Sequence, residues 1–209
     1  MYLFTRINTM SAARARDAIH FAGEITDYVN SHSELDVTAH SFLFGRPPGT
    51  LAWSCTVERH AQIIAAENAL NGDDSYMDRT AKATELFLGP PEDAFREILH
   101  AAGDMDAPPR FTSAVLATCN ADRMGDAMAW GVEMAELVNA VSGRPCAFLG
   151  DAYGAFGGVA WLTAFEDADS IDDLRGQLQA DDRYLSKMSA STGLFVPGTG
   201  RTSLLQRVI

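Results

Sequence analysis

The sequence predicts an α+β protein made of two tandem copies of one β-α-β-β-α-β unit. A long internal repeat, alternating strand-like runs and helical periodicity between those runs all support this prediction. The repeat is plainest in two stretches, DDSYMDRTAKATELF from Asp73 and DDRYLSKMSASTGLF from Asp181. At the offset that aligns them, 184 − 76 = 108 residues, Trp53 also aligns with Trp161. Each element must therefore be assigned so that it fits both copies.

The alignment continues towards the N-terminal side of each copy at an offset one residue longer. Glu24 aligns there with Glu133, and Val29 with Val138 (138 − 29 = 109). Matches at a nearly constant offset over about a hundred residues indicate an internal duplication. We therefore divide the chain into a first repeat, residues 1–100, a second repeat, residues 110–209, and a linker at about 101–109.

Each copy opens with a strand and a helix. YLFTRINT alternates as a half-buried strand does, and an apolar series at helical spacing follows it in both copies. That series is Ala15, Ile19, Ala22, Ile25 and Val29, matched by Met124, Met128, Gly131, Met134 and Val138. DVTAHSFLF and LAWSCTV predict the next two strands, with the turn cluster GRPPGT between them and GAFGG as its counterpart.

The rest of each copy predicts a second helix and a last strand. The helices are expected at about 61–71 and 170–179, followed by the two Asp-Asp-x-Tyr segments. We interpret those segments as structural, because aspartate is a good cap and turn former. ELFLG and GLFVPG are predicted as short final strands, and the tails DAFREIL and TSLLQRVI as one further strand each.

The element order is that of the split βαβ, or ferredoxin-like, unit. Such a unit packs both helices on one face of a four-stranded antiparallel sheet, so the other face must be buried elsewhere. Two copies in one chain can bury these faces against each other and close into a barrel without exposed edges. We therefore predict a single-chain, pseudo-dimeric α/β barrel.

Composition excludes several classes of function. The formal net charge of −12 disfavours binding to nucleic acid or anionic membranes, which requires basic patches. Neither an 18-residue apolar run nor a secretion signal is apparent, so we expect a cytoplasmic protein. Cys55, Cys119 and Cys146 fit no zinc spacing and are expected to be reduced thiols.

The chain resembles the dimeric α/β-barrel superfamily, in a fused tandem form. The resemblance covers nearly the whole chain and is carried by the element order, by WSCTVERHAQI and WLTAFEDADSI, and by the paired Asp-Asp-x-Tyr segments. It is closest in pattern to the NIPSNAP-like and antibiotic-biosynthesis-monooxygenase-like branches. The superfamily includes cofactor-free oxygenases, cyclases, haem-degrading enzymes and haem peroxidase relatives, so it implies a fold more firmly than a reaction.

The strands of the first repeat carry the candidate site. If Leu3, Thr5 and Ile7 face the helices, then Phe4, Arg6 and Asn8 face the barrel, where a buried arginine needs a carboxylate or an anionic ligand. On the next two strands, inward positions are expected for four residues: His40, Phe42, Ser54 and Thr56. The second repeat is apolar at the corresponding positions, and this asymmetry predicts a ligand pocket in the first repeat.

Within this pocket we assign His40 as the proton-transfer group and Arg6 as the group that stabilises an enolate or a carboxylate. His40 could equally be a hydrogen-bonded or edge-exposed histidine.

Trp53 and Trp161 are expected to be core aromatics rather than a stacking wall for a ligand. GDAYGAFGG joins two strands and lacks the phosphate-loop ending, so it predicts a hairpin loop. The histidine and aspartate spacings predict no metal site.

These observations lead to one principal hypothesis and two alternatives. The first is a small-molecule barrel protein, such as a cofactor-independent monooxygenase, cyclase or isomerase acting on an apolar or aromatic metabolite, with no cofactor. A non-catalytic ligand-binding or assembly protein is the second, and a haem-binding protein the third. Whether the protein is an enzyme, and whether it forms a homo-oligomer, stays open at this point.

Overall fold

The computed structural model describes residues 1–105 and 108–208. Each repeat contains four strands and three α-helices, and a single turn of 3-10 helix precedes its first α-helix. The elements of the first repeat are β1 (Tyr2–Thr9), α1 (Ala15–His32), β2 (Thr38–Phe44), β3 (Thr50–Val57), α2 (His60–Asn71), α3 (Asp74–Ala83) and β4 (Glu92–Ala102). Those of the second repeat are β5 (Phe111–Thr118), α4 (Met124–Ser142), β6 (Cys146–Tyr153), β7 (Gly158–Phe165), α5 (Asp169–Ala180), α6 (Asp182–Ser189) and β8 (Arg201–Arg207).

The eight strands pair in the cyclic order β1-β3-β2-β8-β5-β7-β6-β4, which closes the sheet into a barrel. Together with the matching element order of the two repeats, this confirms the predicted α+β fold of two tandem ferredoxin-like repeats. The GRPPGT and GAFGG segments lie in the β2–β3 and β6–β7 hairpins, as predicted. Gly49 and Gly157 end these turns at φ values of +82° and +74°, which glycine adopts without a Cβ penalty.

The chain divides into two compact units. The first is Met1–Phe95 together with the C-terminal residues from Gln206, and the second is Arg96–Leu205. In the first unit, the backbone N–H of Val208 donates to the carbonyl oxygen of Ala39 on β2 at 2.9 Å. Residues 106 and 107 of the predicted linker lie outside the described residues, and so does residue 209 of the predicted second repeat.

The last strand of each repeat lies further along the chain than ELFLG and GLFVPG predicted. Those segments form only isolated bridges, from Phe87 to Met10 and from Phe195 to Cys119. The strands are β4 and β8, which contain the DAFREIL and TSLLQ segments. In the first repeat, proline explains why the ELFLG segment does not continue as a strand. Pro90 and Pro91 follow the bridge, and a residue without an N–H cannot extend a ladder of hydrogen bonds.

The Asp-Asp-x-Tyr segments begin short helices, and their first aspartates cap them. Asp73 accepts a hydrogen bond from the backbone N–H of Ser75 at the start of α3. Asp181 does the same for Arg183 and Tyr184 at the start of α6. The structural role predicted for these aspartates is therefore confirmed.

Candidate functional site

A pocket of about 660 Å³ lies in the first unit, between one face of the sheet and the helices α1, α2 and α3. Four residues of β1 and β3 form its floor: Phe4, Arg6, Asn8 and Trp53. The helices contribute its walls, with Phe21, Ile25 and Val29 from α1, Ile63, Ala66, Glu67 and Leu70 from α2, and Tyr76, Thr80 and Ala83 from α3. The volume falls within the usual range for small-molecule sites, and apolar side chains dominate the lining.

One corner of this pocket is polar, and Arg6 is its centre. The Arg6 Nε and Nη2 atoms each donate to a carboxylate oxygen of Asp93 at 2.8 Å, and Nη2 also donates to Glu67 Oε1 at 3.1 Å. The guanidinium carbon lies 5.5 Å from the centroid of the Phe4 ring. Bidentate pairing with a second carboxylate fixes both the position and the orientation of Arg6.

The electrostatics of this corner follow from those contacts. The hydrogen bond from Arg6 to Asp93 raises the pKa of Arg6, although burial opposes the shift. Burial raises the pKa of Tyr76, and the positive charge of Arg6 offsets part of that increase. At neutral pH the corner therefore contains a charged guanidinium and a protonated phenol beside two carboxylates.

Trp53 lies next to this corner, because it is directly opposite Arg6 in the β1–β3 pair. Its indole N–H is enclosed, and none of the described residues accepts a hydrogen bond from it. The carbonyl oxygen of Ala22, on the helix above, accepts a bond from Thr26 Oγ1 at 2.7 Å instead. Trp53 is therefore held by packing against Phe87, at a centroid distance of 6.0 Å, rather than by a polar anchor.

The same place in the second unit is filled. Trp161, the counterpart of Trp53, donates to the Gly131 carbonyl oxygen at 2.9 Å and packs against Trp130, Phe148 and Phe195 at centroid distances of 5.0 to 5.7 Å. In the first unit the equivalents of Trp130 and Phe148 are smaller. They are Phe21 and Ala39, each 109 residues earlier. Smaller side chains beneath α1 leave the volume that becomes the pocket.

The polar corner also belongs to the first repeat alone. Val115 corresponds to Arg6, since both lie opposite the equivalent tryptophan, and Arg175 corresponds to Glu67 at an offset of 108. The tyrosine is shared, because Tyr184 corresponds to Tyr76. Both the volume and the charge of the first repeat thus differ from those of its copy, as expected of a site that only one copy developed.

Three of the predicted site residues line this pocket, but on the other face of the sheet from the one predicted. Phe4, Arg6 and Asn8 face the helices, so their predicted orientation towards the barrel was wrong. Asn8 Nδ2 donates to the Gly89 carbonyl oxygen at 3.2 Å, which fixes the loop at the rim. The orientation follows from the partners of Arg6, since its carboxylates come from α2 and from the start of β4.

The other predicted residues lie on the opposite face of the same sheet. Ser54 and Thr56 alternate with Trp53, and His40 pairs with Ala52, so these side chains point away from the pocket. Phe42, two residues beyond His40, shares their face by the same alternation. The structure therefore does not bring His40 and Arg6 together in one pocket.

His40 is enclosed on that face, with 7% of its surface exposed. Burial lowers its pKa to about 4, and the charge of Arg207 contributes to the shift. The imidazole is therefore neutral at physiological pH.

Sequence reasoning missed three residues of the polar corner, which are Glu67, Tyr76 and Asp93. Tyr76 was assigned a structural role with the rest of its Asp-Asp-x-Tyr segment, because the aspartates there predicted a cap or a turn. Glu67 could have been identified from the sequence, because its counterpart in the second repeat is Arg175. A reversal of charge between the repeats indicates that the two positions have different surroundings. The polarity of the two repeats was compared only along their strands, so Glu67, which lies on a helix, was not identified.

Neither a metal nor haem fits this pocket. No group of three or more His, Cys, Asp or Glu residues within 1–105 and 108–208 is arranged to hold a metal ion. The pocket lining contains no histidine, cysteine or methionine, and Tyr76 is its one side chain of a type that ligates haem iron. Burial raises the pKa of the Tyr76 hydroxyl, which favours the protonated phenol over the phenolate that binds haem iron.

No protein-family model and no curated protein matches the chain. Among solved structures, a provisionally named monooxygenase from Fusobacterium nucleatum subsp. nucleatum superposes with a TM-score of 0.73 at 9% identity, over 100% of this chain and 92% of that one. An anthrone oxidase-like protein gives a TM-score of 0.72 at 14% identity, over 100% and 91%. A provisionally named chlorite dismutase gives 0.58 at 10% identity, over 100% and 96%.

These similarities show that the chain shares the fold of those proteins. None of the helices in the described part of the chain combines the length and the apolar character needed to cross a bilayer.

Proposed function

We propose that the first unit binds one small apolar or aromatic molecule in the pocket between its helices and sheet. We further propose that the chain is a cofactor-independent enzyme of the monooxygenase, cyclase or isomerase type acting on that molecule. One observation carries the proposal: a mainly apolar pocket ends in a polar corner in one repeat, while the other repeat fills the same place with aromatic side chains. The similar folds named as a monooxygenase and an anthrone oxidase-like protein favour the first reaction type.

The polar corner suggests how the chemistry would proceed. Burial raises the pKa of Tyr76, so its phenol keeps its proton and can donate it in a hydrogen bond to a carbonyl or hydroxyl oxygen of the substrate. Glu67, on the wall of the same pocket, is the carboxylate placed to take a proton from the substrate. Arg6 stays paired with Asp93 and keeps its positive charge beside the enolate that results. His40 has no part in this scheme.

In the monooxygenase form, the carbanion from a CH₂ group reacts with dioxygen. One oxygen atom becomes the new carbonyl oxygen, and the other leaves as water with the two hydrogens. Trp53 is the adaptable wall in this scheme, because its ring is not fixed by a hydrogen bond and can shift as a ligand enters.

The remaining expectations stand as part of the proposal. With a net charge of −12 we propose that the protein binds neither nucleic acid nor membrane and acts in the cytoplasm. Sedimentation would measure its self-association, which a fused pseudo-dimer does not require for closure of the sheet.

The binding step is tested by filling the pocket with the second repeat's own side chains. We would measure the fluorescence of N-phenyl-1-naphthylamine, a neutral apolar probe, on titration with the protein. The double variant Phe21→Trp/Ala66→Leu introduces the counterparts Trp130 and Leu174, and we expect it to weaken probe binding at least tenfold while the circular dichroism spectrum is kept. The control is Ala69→Leu, which enlarges an exposed side chain on α2, the helix that contains Ala66.

The enzymatic step needs a readout that binding alone does not give. Oxygen uptake and exchange of the acidic C–H with solvent deuterium would be followed with anthrone and a series of aryl ketones. Glu67→Gln is expected to abolish both while the neutral probe still binds. If no compound reacts although the probe binds in the pocket, the non-catalytic alternative replaces the enzyme.

A further inference from the structure

The polar corner of the pocket carries more negative than positive charge. Arg6 is the one cation among the lining residues, and two carboxylates, those of Glu67 and Asp93, bind it directly. With one positive and two negative charges, the group has a net charge of −1. Its guanidinium contacts are directed at these carboxylates rather than held open for an anionic ligand.

We propose that this pocket selects uncharged ligands over anionic ligands of the same shape, and that Glu67 determines this selectivity. The proposal deepens the proposed function and rests on it, since both concern the same pocket. An anion placed beside Glu67, whose side chain is 39% exposed, meets a like charge next to an apolar lining that solvates the ligand poorly. An uncharged ligand can place its polar atom at Tyr76 without that penalty.

This selectivity is compatible with an anionic intermediate formed inside the pocket. When a bound neutral substrate gives its proton to Glu67, the negative charge moves from the carboxylate to the substrate and the total stays constant. An anion that arrives from solution instead adds a charge to the pocket. The site would therefore accept a ketone or a phenol and reject the corresponding carboxylate or sulfonate.

The test uses three fluorescent probes built on one skeleton. N-phenyl-1-naphthylamine is neutral, 1-anilinonaphthalene-8-sulfonate is anionic, and the matching sulfonamide is neutral but close to the sulfonate in size. We expect both neutral probes to bind at least tenfold more tightly than the sulfonate. The difference should persist from 0.15 to 0.5 M NaCl, because charges in direct contact are screened less than the acidic surface of the protein.

Glu67→Gln keeps the size of the side chain and removes its charge. We expect it to tighten sulfonate binding at least fivefold and to leave the affinity of both neutral probes within about twofold. Glu58→Gln makes the same chemical change at an exposed position outside the pocket lining, and it should leave all three affinities unchanged.

Each outcome decides a separate point. The selectivity would be overturned if the sulfonate and the sulfonamide bound equally well and Phe21→Trp/Ala66→Leu blocked the binding of both. The proposed binding function would then still stand. Preference for neutral probes with no response to Glu67→Gln would overturn the assignment to Glu67. Probe binding that the filled-pocket variant does not weaken would overturn the proposed function, and the selectivity with it.

Discussion

The Trp161 indole N–H donates to the carbonyl oxygen of Gly131, 2.9 Å away, and thereby fixes β7 to α4 in the second unit. In the first unit, the equivalent tryptophan, Trp53, makes no such bond. The carbonyl oxygen of Ala22, the counterpart of Gly131, accepts a hydrogen bond from the Thr26 hydroxyl instead, and the second repeat has Ala135 in place of Thr26. One added hydroxyl thus separates an anchored indole from an unanchored one.

Replacing each tryptophan by phenylalanine should therefore have unequal effects. Trp161→Phe loses a buried hydrogen bond as well as ring area, whereas Trp53→Phe loses ring area alone. We expect the free energy of unfolding to fall by roughly 1 kcal/mol more for Trp161→Phe, the usual net value of one such bond. Urea unfolding followed by circular dichroism measures the difference, and equal losses would show that the bond contributes nothing.

Gly131 is required by the close approach of α4 to Phe148. A Cβ at this position would lie 2.3 Å from the nearest ring carbon of Phe148, which is buried on β6. Gly131→Ala is therefore expected to lower the free energy of unfolding by about 1–3 kcal/mol through overpacking.

The matched control for this substitution is Gly176→Ala, in the exposed part of α5, where a Cβ meets nothing within 4 Å. It should raise stability by roughly 0.5–1 kcal/mol, since glycine is costly within a helix. The prediction fails if the two alanine variants unfold at the same urea concentration.

The buried imidazole of His40 makes stability depend on pH. Its pKa is about 4 in the folded protein against 6.5 unfolded, so the unfolded state binds more protons between these values. Stability is unaffected above about pH 6.5 and decreases as the pH falls towards 4. At pH 5 the loss is about 2 kcal/mol.

His40→Gln should remove this part of the pH dependence, measured as the difference in unfolding free energy between pH 7 and pH 5. His20→Gln, at a histidine side chain that is 79% exposed, serves as the control and should behave as the parent protein does. A parent-like pH dependence in His40→Gln would mean that the imidazole already charges at its ordinary pKa.

The three cysteines are buried, free thiols. Burial raises the pKa of Cys55 and Cys146 to about 11 and raises that of Cys119 as well. At pH 8 only about one thiol in a thousand of the first two is ionised, and the thiolate is the reactive form.

Iodoacetamide should therefore leave the folded protein unmodified and alkylate all three cysteines in urea, which intact mass spectrometry detects. Alkylation of any cysteine in the folded protein within minutes would contradict the burial described above.

Most of the fold could be predicted because the chain is duplicated, so each assignment of a helix or strand had to fit two sequences at once. The helices at 60–71 and 169–180 lie within one or two residues of their predicted positions. The direction of the β1 side chains could not be obtained this way. Every residue of β1 is partly exposed, so alternation defines two faces without saying which one the helices cover.

The polar corner was beyond prediction for a different reason. Arg6 lies 61 residues from Glu67 and 87 from Asp93 along the chain, and no local pattern connects them. A buried arginine does require a carboxylate, and that requirement was recognised. Which carboxylate satisfies it depends on the packing of α2 and on the start of β4, both of which are tertiary features.

The residues from Gln206 belong to the first unit, although the whole second unit separates them from it in the chain. On the ribosome, synthesis of the unit that carries the pocket thus begins before that of the second unit and is completed after it. At ordinary synthesis rates, the residues of the second unit delay its completion by roughly 5 to 20 s. During that interval β2 lacks the hydrogen bond that Val208 gives to Ala39, and a nascent chain stalled before Gln206 would hold the first unit unfinished.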